Sequence, residues 1–158
     1  MHPTRNDLPK SARKSLIDLL QSRLTQAIDL HLDAKQAHWN VRGPHFAQLH
    51  ELFDSLHVQL GEHVDDLAER LVQLGGQAHG TVQAISAGSD LPAYPLELSA
   101  GREHLIAIAD RLSRVCASMR SAIGAADDRG DEGTADLFTG ISRDLDKSLW
   151  MVEAHLAD

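Results

Sequence analysis

The sequence predicts an all-α fold: a four-helix bundle with one long crossover that carries a short extra helix. Three observations predict it. Apolar residues recur at helical spacing in four long runs, no segment alternates as a half-buried strand would, and glycine and proline clusters fall between the runs. The chain has 158 residues, 42% apolar and only 4% aromatic. That is enough for one domain with a sizeable core, packed largely by leucine.

The first helix is predicted over residues 11–37, where Leu16, Leu20, Leu24, Ile28 and Leu32 recur every four residues. Gly43-Pro44 ends it and starts the second helix, Pro44 suiting a first helical turn. The second carries Phe46, Leu49, Phe53, Leu56, Leu60, Leu67, Leu71 and Leu74, and Gly75-Gly76 ends it. The link from Gly76 to Tyr94 is too long for a hairpin. It can return the chain to the other end of the bundle, so that the long helices on either side of it run parallel. "TVQAIS" within it is predicted to form the short extra helix. That connectivity is ferritin-like. Pro95 is predicted to open the third long helix, with Leu105, Ile108, Leu112, Val115, Met119 and Ile123 on its apolar stripe. "GDEG" is a tight link to the last helix, striped by Leu137, Ile141, Leu145, Leu149, Val152 and Leu156. Residues 1–10 read as a short N-terminal arm and 11–158 as the bundle.

Composition excludes several classes. No apolar run is long enough for a membrane span, and the N-terminus lacks the apolar segment of a signal peptide. The lone Cys116 forms no intrachain disulfide, falls among apolar helical positions and suits a reducing cytoplasm. The net charge of −8 argues against nucleic acid as the main partner. The charge is uneven, however: residues 1–14 carry Arg5, Lys10, Arg13 and Lys14 against Asp7, whereas residues 127–158 are strongly acidic.

The chemistry concentrates in "KQAHWNVRGPHFAQLHELFD" and "HVDDLAER". On one helix His50 and Asp54 share a face, as do Asp65 and Glu69. Asp54 and Asp65 are close to three turns apart, so all four lie along one stripe. Imidazole with carboxylates suits iron, manganese or zinc. The two pairs are centred on the order of 22 Å apart at ~1.5 Å per residue, too far to hold one ion. They meet only if a second copy of the helix runs antiparallel about a two-fold axis near Gln59-Leu60, where Gly61 allows close approach. Two symmetric sites per dimer follow, each completed by His38 near the end of the first helix. A solvated helix face is the plainer reading of the same spacing.

These residues, with "SRDLDKSLWMVEAHL", resemble the Dps family, the ferritin-like DNA-binding proteins from starved cells. The resemblance covers nearly the whole chain, and its pattern His-x11-His-x3-Asp-x10-Asp-x3-Glu is specific. It implies that His38, His50 and Asp54 from one subunit and Asp65 and Glu69 from its dimer mate bind iron, with zinc or manganese as alternatives. It implies a hollow homo-dodecamer built from two-fold dimers. The implied activity is a ferroxidase that oxidises Fe(II), preferably with hydrogen peroxide, and stores ferric mineral. Trp39 would pack over the site or quench stray oxidant, or else be ordinary core. Asp136 and Asp146, with Asp144 nearby, match positions lining an acidic iron-entry pore; on this reading they lie near a common face of the last helix, which otherwise is only a solvated acidic face.

The ferritins proper carry Glu-x-x-His motifs inside one bundle, and no glutamate here is followed by such a histidine. His31, His57, His63 and His79 lie outside the five-ligand set and read mostly as surface or interface histidines; an extra metal site is the lesser alternative, since His63 maps across the dyad near position 56 and could approach His57 of the mate. The arm is short and holds few lysines, so DNA binding is expected to be weak or absent. A DNA-compacting, nucleoid-associated shell acting through basic N-terminal arms is the alternative function, and a zinc or manganese assembly with little turnover is a third.

Overall fold

In the computed structural model, which describes residues 1–157, the chain is all helical. Its elements are α1 (Lys10–Asn40), α2 (Phe46–Gln73), the short α3 (Val82–Gly88), α4 (Gly101–Asp127) and α5 (Glu132–Ala154). Cross-helix contacts set the directions. Gln26 and Asp33 of α1 meet Ser118 and Arg111 of α4, so those two helices run antiparallel. Gln59 of α2 meets Ser148 of α5 and Arg70 meets Asp131, so these also run antiparallel. α1 and α2 form one antiparallel hairpin and α4 and α5 the other, which leaves α2 and α4 parallel across the bundle, as the long link predicts.

The core is one leucine-rich cluster with Phe53 and Phe138 fully buried in it. On α1 the predicted stripe drifts. Leu16, Leu20 and Leu24 are buried, but Leu32 is 51% exposed and the core passes instead to Ala27, Leu30, Ala34 and Ala37. A strict four-residue step advances about 40° per repeat on a helix of 3.6 residues per turn, so it walks off the buried face. Phe46, predicted on the stripe of α2, is exposed, with its ring tilted against that of His50 at 5.0 Å between centroids. Cys116 is buried, and burial pushes its thiol up to about 12, so it stays a neutral core side chain.

Two boundaries differ from prediction. α1 ends at Asn40, after which Val41 and Arg42 are extended, and the Arg42 N–H donates to the Ser99 carbonyl at 2.8 Å. Pro44 therefore lies in a turn ahead of α2 rather than in its first turn. α4 opens at Gly101 rather than Pro95, because the Glu103 carboxylate accepts from the Ala100 N–H at 3.2 Å and caps the helix there.

The other stop signals hold. Gly75 has φ +92° after α2, and a Cβ there would meet the His2 carbonyl oxygen at 2.9 Å. The N-terminal arm lies against that glycine, the His2 N–H donating to its carbonyl at 2.8 Å. Thr81 caps α3, and Asp131 caps α5 while its carboxylate takes the Arg70 guanidinium at 2.8 Å. Such a cap is worth about 1 kcal/mol. Arg111, buried, donates to the carbonyls of Pro92 and Ala93 and lies over the Tyr94 ring, which anchors the crossover to α4. No helix among the described residues is long and apolar enough to cross a membrane.

Candidate metal centre

α1 and α2 cross-link through three successive layers of polar side chains. The first layer is His38 on α1 against His50 on α2. Their rings stack at 3.7 Å between centroids. The His38 Nδ1–H donates to the His50 carbonyl at 2.8 Å, and the His50 Nδ1–H donates to the His38 carbonyl at 2.9 Å. A carbonyl can only accept, so each Nδ1 carries a proton and Nε2 is the nitrogen left to face a ligand. This is how a ligating histidine is oriented by its other nitrogen.

The second layer is an ion pair. The Asp54 carboxylate is 2.5 Å from the Lys35 ammonium and 3.7 Å from His38 Nδ1. The hydrogen bond from Lys35 holds the Asp54 carboxyl below the usual carboxylate range, so it is an anion at neutral pH. Lys35 escaped the sequence reading, although its three-residue spacing from His38 puts it on the same face of α1.

The third layer repeats the first. His31 and His57 stack at 3.7 Å, with His31 Nδ1 at 2.8 Å from the His57 carbonyl and His57 Nδ1 at 3.0 Å from the His31 carbonyl. Burial, with the His57 ring and the Lys35 cation adding to it, holds His31 below the ordinary imidazole range. Gly61, the glycine expected to ease the approach of two subunits, also lies against this layer: a Cβ there would be in van der Waals contact with His31 Cε1 at 3.4 Å.

The remaining ligand candidates stand apart. Asp65 and Glu69 are exposed on α2, beyond the dyad position and away from the His38–His50 layer. Among the described residues, no three histidine, cysteine or acidic side chains of the one chain converge to hold a metal. Trp39 is 67% exposed at the end of α1, so it is not core of its own subunit; with Leu32, Tyr94 and Leu96 it borders a groove that reaches His57. Val58 and Val72 are also exposed on α2, so apolar and acidic side chains share this face.

Two expectations need correction. His63 does not turn toward a His57 of the mate. It is buried on the far side of α2, with Nε2 3.7 Å from Asp144 of α5, and it fills the core gap between Leu60 and Leu67. Asp136, Asp144 and Asp146 do not form one face. Ten residues on a helix leave a rotation of roughly 80°, so Asp146 turns toward α4 while Asp144 turns toward α2. Asp146 is held by both Nη2 contacts of Arg120 at 2.6 and 2.7 Å, and Asp136 stands exposed near the start of α5. His79 is exposed on the crossover, where its backbone and the Gln21 side chain exchange hydrogen bonds.

A family model described as a ferritin-like domain matches residues 17–158. The DNA protection during starvation protein of Agrobacterium fabrum is 48% identical over 157 residues, 99% of this chain and 97% of that protein. The solved structure of DpsA14 from Streptomyces coelicolor superposes with a TM-score of 0.94 at 38% identity, covering 98% of this chain and 92% of its own. A Dps from Microbacterium arborescens in a high iron form superposes with a TM-score of 0.89 at 28% identity, covering 98% and 99%.

Proposed function

Because the chain belongs to the ferritin-like family, and within it to the DNA protection during starvation proteins, or Dps, we propose that it is an iron-storing ferroxidase. It oxidises Fe(II) at dinuclear sites shared across a two-fold interface, uses hydrogen peroxide in preference to other oxidants, and stores ferric mineral inside a hollow dodecamer. The observation that carries this reading is the His38–His50 layer, two imidazoles whose Nδ1 atoms are anchored to carbonyls and whose Nε2 atoms are left to face a ligand, beside the Asp54 carboxylate. Its solved relative in a high iron form supports iron as the substrate. So do the donor types: imidazoles suit Fe(II), and carboxylates from Asp54, Asp65 and Glu69 favour Fe(III). Zinc or manganese would occupy the same donors without turnover.

In the proposed reaction two Fe(II) ions each give up one electron. The O–O bond of one peroxide breaks, and with two protons it yields two waters, so no hydroxyl radical leaves the site. His38 and His50 hold the reduced ions, and their carbonyl-anchored Nδ1–H groups keep the rings from rotating. Trp39, exposed one residue from His38, is placed to intercept stray oxidant. Anaerobic Fe(II) titration followed by peroxide, read by ferric absorbance and by the size of the assembly, tests the reading. Ferric formation at two irons per peroxide supports it, and a protein that binds Fe(II) but leaves its oxidation at the rate of the buffer sinks it.

Iron entry is proposed to use the acidic positions of α5, with Asp136 as the free carboxylate and Asp146 charge-compensated by Arg120. Asp136→Asn should slow uptake at limiting Fe(II) by a few-fold, on the order of one lost charge contact in water. Unchanged uptake would make it a solvated side chain.

The relatives' name raises DNA as a second partner. Duplex binding requires cations that are free to meet phosphates. The Arg13 guanidinium is already donating to the carbonyls of Leu8 and Leu74. That leaves Arg5, Lys10 and Lys14 as the other cations of residues 1–14, on a chain of net charge −8. Weak or undetectable binding is therefore proposed at ~150 mM salt. A gel shift with plasmid DNA across salt decides it, tight binding at that salt being the contrary result.

A further inference from the structure

The His31–His57 layer has no role in the five-ligand site, yet it reproduces the build of the His38–His50 layer atom for atom. Ring separation is the same, 3.7 Å in both. Both Nδ1 atoms are again hydrogen-bonded to the paired residue's carbonyl, so each Nδ1 again carries a proton and Nε2 is the nitrogen left to face a ligand. Among the described residues, no hydrogen bond engages either Nε2. A histidine pair that served only to clasp two helices would be satisfied by one such bond. Here four nitrogens are divided evenly between anchoring and free donation.

We propose that His31 and His57 form a second divalent-metal site on the same face of the α1–α2 hairpin, one that takes a borderline ion of the zinc class and holds it without redox turnover. Each partner lies seven residues from its counterpart in the first layer, two turns or about 10.5 Å along the helices. The site lies between the ferroxidase layer and the dyad. Its third ligand rests on the two-fold reading proposed above. A dyad between Gln59 and Leu60 that sets Asp54 against Asp65 also sets His57 opposite Glu62 of the partner subunit. Two imidazoles and one carboxylate suit a divalent borderline ion. They bring too little negative charge to favour Fe(III), in contrast to the three carboxylates of the first site. His57 opens to the groove beside Trp39 and Leu96, which offers a path for entry.

Anaerobic Co(II) titration of the assembled protein tests this, read by the visible d–d bands and by calorimetry. The variants are His31→Asn with His57→Asn, and His38→Asn with His50→Asn. Asparagine keeps an N–H at the position of Nδ1 for the carbonyl bond and removes the Nε2 ligand, so the helix clasp survives. Wild type should bind two classes of Co(II), and each double variant should lose one class and keep the other. Glu62→Gln should weaken the second class about tenfold. If the His31–His57 variant keeps the full wild-type stoichiometry, the proposal is overturned. If the double variant does not assemble, His57→Asn alone carries the same comparison. Loss of the second class together with absence of iron oxidation would leave this site standing and the ferroxidase reading fallen.

Discussion

At His38 and His50 the paired imidazoles have the Asp54 carboxylate beside them and two more acids, Asp65 and Glu69, on the same helix face. Two turns away, at His31 and His57, the same ring geometry stands beside Gly61 and Lys35, and no carboxylate of the described chain lies within ion-pair distance of either ring. Between them the Lys35–Asp54 pair is the hinge of the difference, since one cation and one anion decide which layer is anionic. The contrast teaches that the imidazole clasp is a property of the α1–α2 packing, whereas the chemistry at each clasp is set by the charges around it.

The largest expected effect breaks the first layer. His50→Ala or Asp65→Ala should each reduce fast iron oxidation by about 100-fold or more, the upper end of what even supporting groups around a metal contribute. Mixed assemblies that pair the two mutants should regain activity. Each mixed dimer puts both lesions in one composite site and leaves the other whole. Mixed assemblies as inactive as their parents would refute a site shared between subunits.

The next effect falls on the second layer. Gly61→Val places branched carbons where a Cβ already touches His31, so it should unseat that ring. The second class of Co(II) sites should weaken at least about tenfold, as for loss of an orienting partner. Equal loss from both classes would mean that Gly61 governs subunit approach instead.

A smaller effect of opposite sign is expected at the hinge. Lys35→Met removes the cation that holds Asp54, so divalent affinity at the first layer should rise a few-fold, as expected for one charge contact in water. Calorimetry with Co(II) reads it. A fall in affinity would show that Lys35 positions Asp54 rather than competes for it.

The smallest effect separates the clasps from the bundle around them. His104 is buried, hydrogen-bonded to the Tyr94 hydroxyl at 2.7 Å and held below the ordinary imidazole range by that burial. Its folded pKa is depressed, so the unfolded chain takes up the proton first. Its contribution to stability is complete above about 6.5 and is lost as pH falls below that toward the folded value. Thermal midpoints should decline over this window, and His104→Gln should flatten the decline while Co(II) binding still weakens in acid. An unchanged slope in His104→Gln would move the acid response to the other histidines.

How far the sequence alone carries can be read from particular residues. The helical period, the Gly75-Gly76 stop and the short helix at "TVQAIS" were all legible, because each depends on spacing within one element or on a local backbone preference. The register of α1 was not, because Leu32 and Ala34 are equally plausible core until α2 and α4 choose a side. The start of α4 depended on a Glu103 carboxylate closing on Ala100, and the acids of α5 were parted by Arg120 on one flank and His63 on the other. The pairing of His31 with His57, and of Lys35 with Asp54, joins residues far apart in the chain. Spacing along one helix determines which side chains share a face; only the packing of a second helix against that face decides what each of them meets.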